Sequence, residues 1–180
     1  MQQYSRRTFK MAKKINNIKK YSNWFESEGG PLILISEENC FHWKGVFGEE
    51  QDYWRLIDEE IDFVDKKEIN GKKFIAFGDE PLPARVISCD NGIIFLRWVA
   101  AEDDLDIFNF INFICFEKME ILGEINIDLK SGKYFIFDAA LPGETEEKYE
   151  IYFEKNVSVA TTYLFRPGGD DEFQVNVFLY

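Results

Sequence analysis

"EINGKKFIAFGDEPLPARVISCDNGIIFLRWVA", residues 68–100, decides the class of fold. Short apolar runs alternate here with Asn70-Gly71, with the bend Gly78-Asp79-Glu80-Pro81-Leu82-Pro83, and with Asn91-Gly92. Asn and Gly accept the positive φ that a tight hairpin turn imposes, so each Asn-Gly pair predicts a hairpin. The proline-stiffened bend predicts a change of direction into a further strand. "GIIFLRWVA" (92–100) is apolar on both parities and reads as a strand buried over most of its length.

The pattern extends outward in both directions. "GEINIDLKSGKYFIFDAA" (123–140) predicts two strands paired about Lys130-Ser131-Gly132. "EKYEIYFEKN" (147–156) and "VSVATTYLFRPGGDDEFQVNVFLY" (157–180) continue the alternation, with Pro167-Gly168-Gly169-Asp170 as the closing turn. The apolar "QVNVFLY" at the end has the character of an edge strand able to pair between chains. Upstream, "PLILI" (31–35) predicts a buried strand entered through Gly29-Gly30, with Pro31 at the one strand position that tolerates it. "SEENCFHWKG" (36–45) predicts a short helical turn capped by Ser36 and ended by Gly45 and Gly48. In "EEQDYWRLIDEEIDF" (49–63), Tyr53, Trp54, Ile57 and Ile61 fall on one apolar helical face. "IFNFINFICFE" (107–117) is apolar on both parities, so periodicity leaves helix and doubly buried strand open; a helix capped by Asp106 is preferred for its first part.

These elements predict a mostly β (α+β) protein: antiparallel sheets in a sandwich or open barrel, with one or two short helices packed on them. The expected organisation is a basic extension over residues 1–20 and a single globular domain over 21–180, with a soft division near Gly123. Hydrophobic residues make up 46% and aromatics 17% of the 180 residues, with 18 Phe, enough to fill a core of that size.

Charge is unevenly placed. The formal net charge is −12, yet residues 1–20 hold seven bases and no acid, leaving −19 on the remaining 160 residues. A body so acidic repels phosphate backbones, so nucleic-acid binding by the folded part is not expected. A basic partner would instead be steered to it. The basic N-terminus admits three readings: a targeting segment, an anion-contacting arm, or a solvated helix or tail. No apolar stretch follows its charges to make a secretory signal, and the solvated reading is preferred. "MAKKINNIKK" from Met11 also resembles an alternative start. No long unbroken apolar run predicts a membrane span, and the cytoplasm is the expected location.

Chemistry is sparse. The three cysteines, Cys40, Cys89 and Cys115, form no CxxC pair and read as small buried hydrophobes; no disulfide framework, metal site or cofactor is expected. His42 is the single histidine, and no nucleophile motif accompanies it, so no catalytic residue is assigned and no enzyme expected. Gly29-Gly30 precedes a strand, whereas a phosphate loop follows one and opens a helix. The acidic run Glu102, Asp103, Asp104, Asp106 lacks the spacing of a calcium loop. It reads either as a solvated loop or as a contact for a basic protein surface, together with Glu49, Glu50 and Asp52, expected to be exposed. Trp24, Trp43, Trp54 and Trp98 would fill core, or else line one small-ligand cleft.

One ordered series remains: "WFESEGGPLIL" (24–34), His42-Trp43-Lys44-Gly45, "DYWRLID" (52–58), Gly78-Asp79-Glu80-Pro81-Leu82, then Arg97-Trp98-Val99 before acids, and later "SGKYFIFDAALPGE" (131–144). That series resembles immunity protein family 21 of bacterial polymorphic toxin systems. The resemblance implies a small, predominantly β protein that binds a cognate secreted toxin domain and blocks it without cofactor or catalysis. Its motif positions Trp24, Gly29, Gly30, Pro31, Trp43, Gly45, Gly78, Asp79, Glu80, Pro81 and Trp98 then read as structural. The acidic charge, independently, favours a basic toxin such as a nuclease. The runner-up function is a small-ligand-binding β module built around the tryptophans.

Overall fold

The computed structural model describes residues 15, 17–78, 81–101, 110 and 114–180. Eleven strands among them build two antiparallel sheets that face each other: β1 (Ile18–Tyr21), β2 (Leu32–Ser36), β3 (Asp65–Ile69), β4 (Lys72–Phe77), β5 (Ala84–Cys89), β6 (Gly92–Ala100), β7 (Glu120–Leu129), β8 (Gly132–Asp138), β9 (Tyr149–Phe153), β10 (Val157–Phe165) and β11 (Glu172–Leu179). The first sheet has the order β1-β5-β6-β11-β10-β7 and the second β3-β4-β2-β8-β9. Neither closes into a barrel. The mostly β sandwich expected from the sequence is therefore the fold.

Three apolar layers explain why so many strands lack alternation. Leu32, Leu34, Ile75, Phe77, Phe95, Ile136, Phe153 and Phe178 meet between the sheets. On the outer side of the second sheet, Ile33, Ile35, Phe74, Phe135 and Phe137 pack against Cys40, Trp43 and Leu56. The outer side of the first sheet buries Ile87, Ile94, Leu96, Phe173, Val175 and Val177 beneath Ile15 and Phe110. A strand covered on both faces needs apolar side chains at both parities, which is what "LILI" and "GIIFL" supply.

Two short helices belong to the second outer layer. Ser36 caps α1 (Glu37–Cys40), its hydroxyl accepting the Asn39 N–H at 3.4 Å. Helix α2 spans Asp52–Ile57 and follows Gln51, which adopts the left-handed conformation with φ 56°. Of the four residues on the expected apolar face, Tyr53 and Ile61 pack against the layer outside the second sheet and the other two do not. Asp52 and Leu56 are its buried residues, while Trp54 and Ile57 stand in solvent. A buried acid is admitted because it is fully hydrogen bonded, as described below.

Two strand placements also differ from expectation. The link Lys130-Ser131 does not close a hairpin: β7 pairs with β10, whereas β8 pairs with β2 and β9. Packed sheets lie roughly 10 Å apart, a gap that three extended residue steps can bridge, so this turn carries the chain from one sheet to the other. β11 is not an edge, since it lies between β6 and β10. The Asn70-Gly71 hairpin forms as predicted, with φ 50° and 76°. In the β5–β6 hairpin the loop is Asp90-Asn91, and Gly92 already pairs with Cys89.

Strands from before and after Gly123 contribute to both sheets, and Gly123 itself lies inside β7. The helix expected from Asp106 falls mostly outside the described residues. Within it, Phe110 is helical and its carbonyl accepts the Ile114 N–H at 2.8 Å.

Candidate functional site

Two of the motif segments, distant in sequence, meet on the loop that ends a third. Asp138 ends β8 as a buried carboxylate. Its Oδ2 accepts the Glu28 N–H at 2.8 Å and lies 2.9 Å from the Ser27 hydroxyl, which also reaches the Gly30 carbonyl. Its Oδ1 accepts the Ala140 N–H at 2.8 Å. A Cβ on Gly30 would stand 2.5 Å from Asp138 Oδ1, so only glycine lets the turn close on the carboxylate. Pro31 accepts the Ala139 N–H at 2.9 Å through its carbonyl.

The second segment docks on the same loop. Trp43 is fully buried and its indole N–H donates to the Ala139 carbonyl at 2.9 Å. Gly45 has φ 60°, and an added Cβ would meet the Ala140 carbonyl oxygen at 2.3 Å. Gly143 donates its N–H to the Trp43 carbonyl, and the Cys40 thiol lies 3.2 Å from the Gly143 carbonyl. Residues 138–143 thus serve as an anchor for both the β2 entry turn and the α1–α2 connection. Elsewhere, Trp24 and Trp98 meet edge to face at 5.2 Å, with the Arg85 guanidinium 4.6 Å from the Trp24 ring.

A second buried acid organises α2. Asp52 Oδ2 accepts the Lys44 N–H at 2.9 Å, and its Oδ1 accepts from the Asn70 amide at 2.7 Å and pairs with Lys72 Nζ at 3.0 Å. Lys72 Nζ also pairs with Glu50. Burial pushes the Lys72 ammonium pKa down, but hydrogen bonds to Glu50 and Asp52 outweigh it, and the net position is above the ordinary lysine value. Asn70 also bonds the Glu50 carbonyl at 3.0 Å and accepts from Arg55 at 2.8 Å. The β3–β4 turn and the start of α2 are therefore one hydrogen-bonded unit.

This placement corrects one expected contact. Asp52 is wholly buried, not exposed, because its carboxylate is committed to three internal donors. Glu49 and Glu50 are exposed in the loop before α2, as expected. Glu102, Asp103, Asp104 and Asp106, with the motif residues Asp79 and Glu80, lie outside the described residues.

The four tryptophans do not share a cleft. Trp43 lies in the layer outside the second sheet, and Trp24 and Trp98 pack outside the first. Trp54 is half exposed on α2. A cleft of about 460 Å³ is present between the 22–28 segment and the 136–149 segment; of the four, it is lined by Trp24 alone. The four tryptophans together therefore do not form the cleft that the ligand-binding alternative expected, and Trp24 alone reaches one. His42 is exposed and makes no side-chain hydrogen bond among the described residues. Burial pushes the Cys40 and Cys89 thiols up to about 11, so neither is an activated nucleophile.

Sequence reasoning missed one feature. Phe47, Trp54 and Ile57 are 61%, 50% and 42% exposed, all on the α1–α2 segment. The helical apolar spacing hints at Trp54 and Ile57, and nothing in the sequence marks Phe47.

A family model described as immunity protein 21 matches residues 23–165. No curated protein and no solved structure matches the chain.

Proposed function

The chain belongs to the immunity protein 21 family, and from that premise we propose that it binds a cognate secreted toxin domain in the cytoplasm of the producing cell and neutralises it by covering its active surface. The family match over residues 23–165 carries this reading. Occlusion requires affinity and no chemistry, and the buried carboxylates described above are consumed in holding loops together. The partner favoured by charge is a basic domain, a nuclease being one such kind, because −19 resides on the 160 residues beyond the N-terminal 20. Glu49, Glu50 and the run Glu102, Asp103, Asp104, Asp106 are proposed as contacts that steer it in.

The test is rescue. The chain is co-expressed with the toxin domain encoded beside it, survivors are counted, and the pair is co-purified. Survival together with a stable complex is the expected result. Killing undiminished by the chain, with no complex, overturns the reading for that partner. For the acidic run, Asp103→Lys with Asp104→Lys should slow association at low salt; an unchanged on-rate removes those residues from the interface.

A further inference from the structure

Helix α2 presents an apolar face that its own fold does not cover. Trp54 and Ile57 are one turn apart and so share a side of the helix, and that side is exposed. Phe47 rides on the preceding loop, whose ends are tied by the Tyr53 N–H to the Gly45 carbonyl (3.2 Å) and the Lys44 N–H to Asp52 (2.9 Å). The face is held rigidly from below. Asp52, Asn70 and Lys72 lock the helix start to β3–β4, and Leu56 is buried.

The sequence around these side chains is predominantly acidic. Residues 44–62 contain seven acids and two bases. Glu49, Asp58 and Glu60 are exposed and make no ion pair among the described residues, whereas Arg55 is engaged by Asn70. Isolated exposed hydrophobics are ordinary, but Trp54 and Ile57 side by side on a helix tied down at its start, with Phe47 exposed on the loop before it and acids before and after them in the chain, have the make-up of a binding centre: an anchoring Trp with groups nearby that steer and exclude water.

We propose that the α2 face, centred on Trp54 with Phe47 and Ile57 and rimmed by Glu49, Asp58 and Glu60, is the surface that seats the toxin domain, and that the complementary surface on that domain is an apolar depression bordered by lysine and arginine. The proposal rests on the immunity reading above and adds the location and chemistry of the interface. Trp54 is the anchor and acts on the lifetime of the complex; the acids act on its formation.

The experiment measures association and dissociation rates of the full chain with the toxin domain, alongside cell rescue. Trp54→Ala should shorten the lifetime of the complex roughly tenfold or more, as expected for an anchoring residue. Glu49→Lys with Asp58→Lys should slow association at low salt, with the difference shrinking at high salt. Ile121→Ser and Tyr152→Ser, exposed apolar sites elsewhere, should leave both rates near the wild type. Circular dichroism confirms that each variant is folded, and the charge reversal, confined to exposed side chains, keeps the test decisive if Trp54→Ala is not. Wild-type rates in both variants while the parent chain still binds and rescues would overturn this surface and leave the function standing. A parent chain that neither binds nor rescues overturns both. Self-association of the free chain, abolished by Trp54→Ala without any effect on toxin binding, would reassign the face to a second copy.

Discussion

Asp52 shows how one side chain can look like a contact and act as a strut. From sequence it sits in a run of acids before a helix, and nothing distinguishes it from Glu49 or Glu50. In the fold it is enclosed and accepts from Lys44, Asn70 and Lys72. Removing the Asp52 carboxylate leaves Lys72 with Glu50 alone and takes the acceptor from the Lys44 N–H and the Asn70 amide, and a buried donor left without a partner costs about 1–3 kcal/mol. Asp52→Ala should therefore lower stability by that order in urea unfolding, whereas Glu49→Ala should change it by less than about 0.5 kcal/mol, as is usual at the surface. Lys72 supplies a matching pH dependence. Its folded pKa lies above the ordinary 10.5, so its stabilisation is complete below that value and is lost as pH rises through the folded one. Wild type and Lys72→Met should converge in stability only in strong alkali, a difference that unfolding midpoints across pH would reveal. Cys40 and Cys89 were legible from their apolar neighbours alone, whereas Cys115, expected to be buried too, is only partly so. With burial holding the thiols of Cys40 and Cys89 up to about 11, neither should be alkylated in the native chain at neutral pH. Both should react on unfolding, which mass spectrometry would count.

Elements were legible to the extent that local chemistry specifies them. The Asn70-Gly71 turn, the Ser36 cap and the β10–β11 hairpin follow from residues that favour those conformations wherever they occur. Pairing beyond neighbours was not legible. Lys130-Ser131-Gly132 has turn residues, yet whether a turn closes a hairpin or crosses between sheets depends on which strands compete for its flanks. β11 is the sharpest case: it ends the chain but occupies the middle of a sheet. It buries Phe173, Val175, Val177, Phe178 and Leu179, each contributing about 1.5–3 kcal/mol, a total comparable with the ~5–15 kcal/mol stability of a whole domain. A chain truncated after Gly169 should thus fail to fold, observable as loss of dispersed amide signals in NMR spectra. A folded truncated chain would show that the strand is dispensable. Helix α2 failed differently. Its apolar spacing was correctly seen, but periodicity reports that a helix has an apolar face without reporting what covers it.

At the scale of the molecule, charge is the property that sequence alone supplies in full. With −19 on residues 21–180, association with a basic partner should slow by about tenfold or more from low salt to physiological ionic strength, where screening acts over ~8 Å. Stopped-flow rates at several salt concentrations measure this, and a flat dependence would remove charge steering from the proposed mechanism. The sequence by itself determined the β class, the Asn70-Gly71 turn and the Ser36 cap, the acidic body and, through the order of its motif segments, the family. Each of these depends on neighbouring residues or on composition, which folding does not alter. Only the tertiary structure decided that residues 138–143 anchor the two glycine-containing segments, that Asp52 is internal, that β11 is central, and that Trp54 faces outward. Those outcomes are fixed by contacts between residues far apart in the chain, where several arrangements satisfy the same local preferences and close packing of three apolar layers selects one.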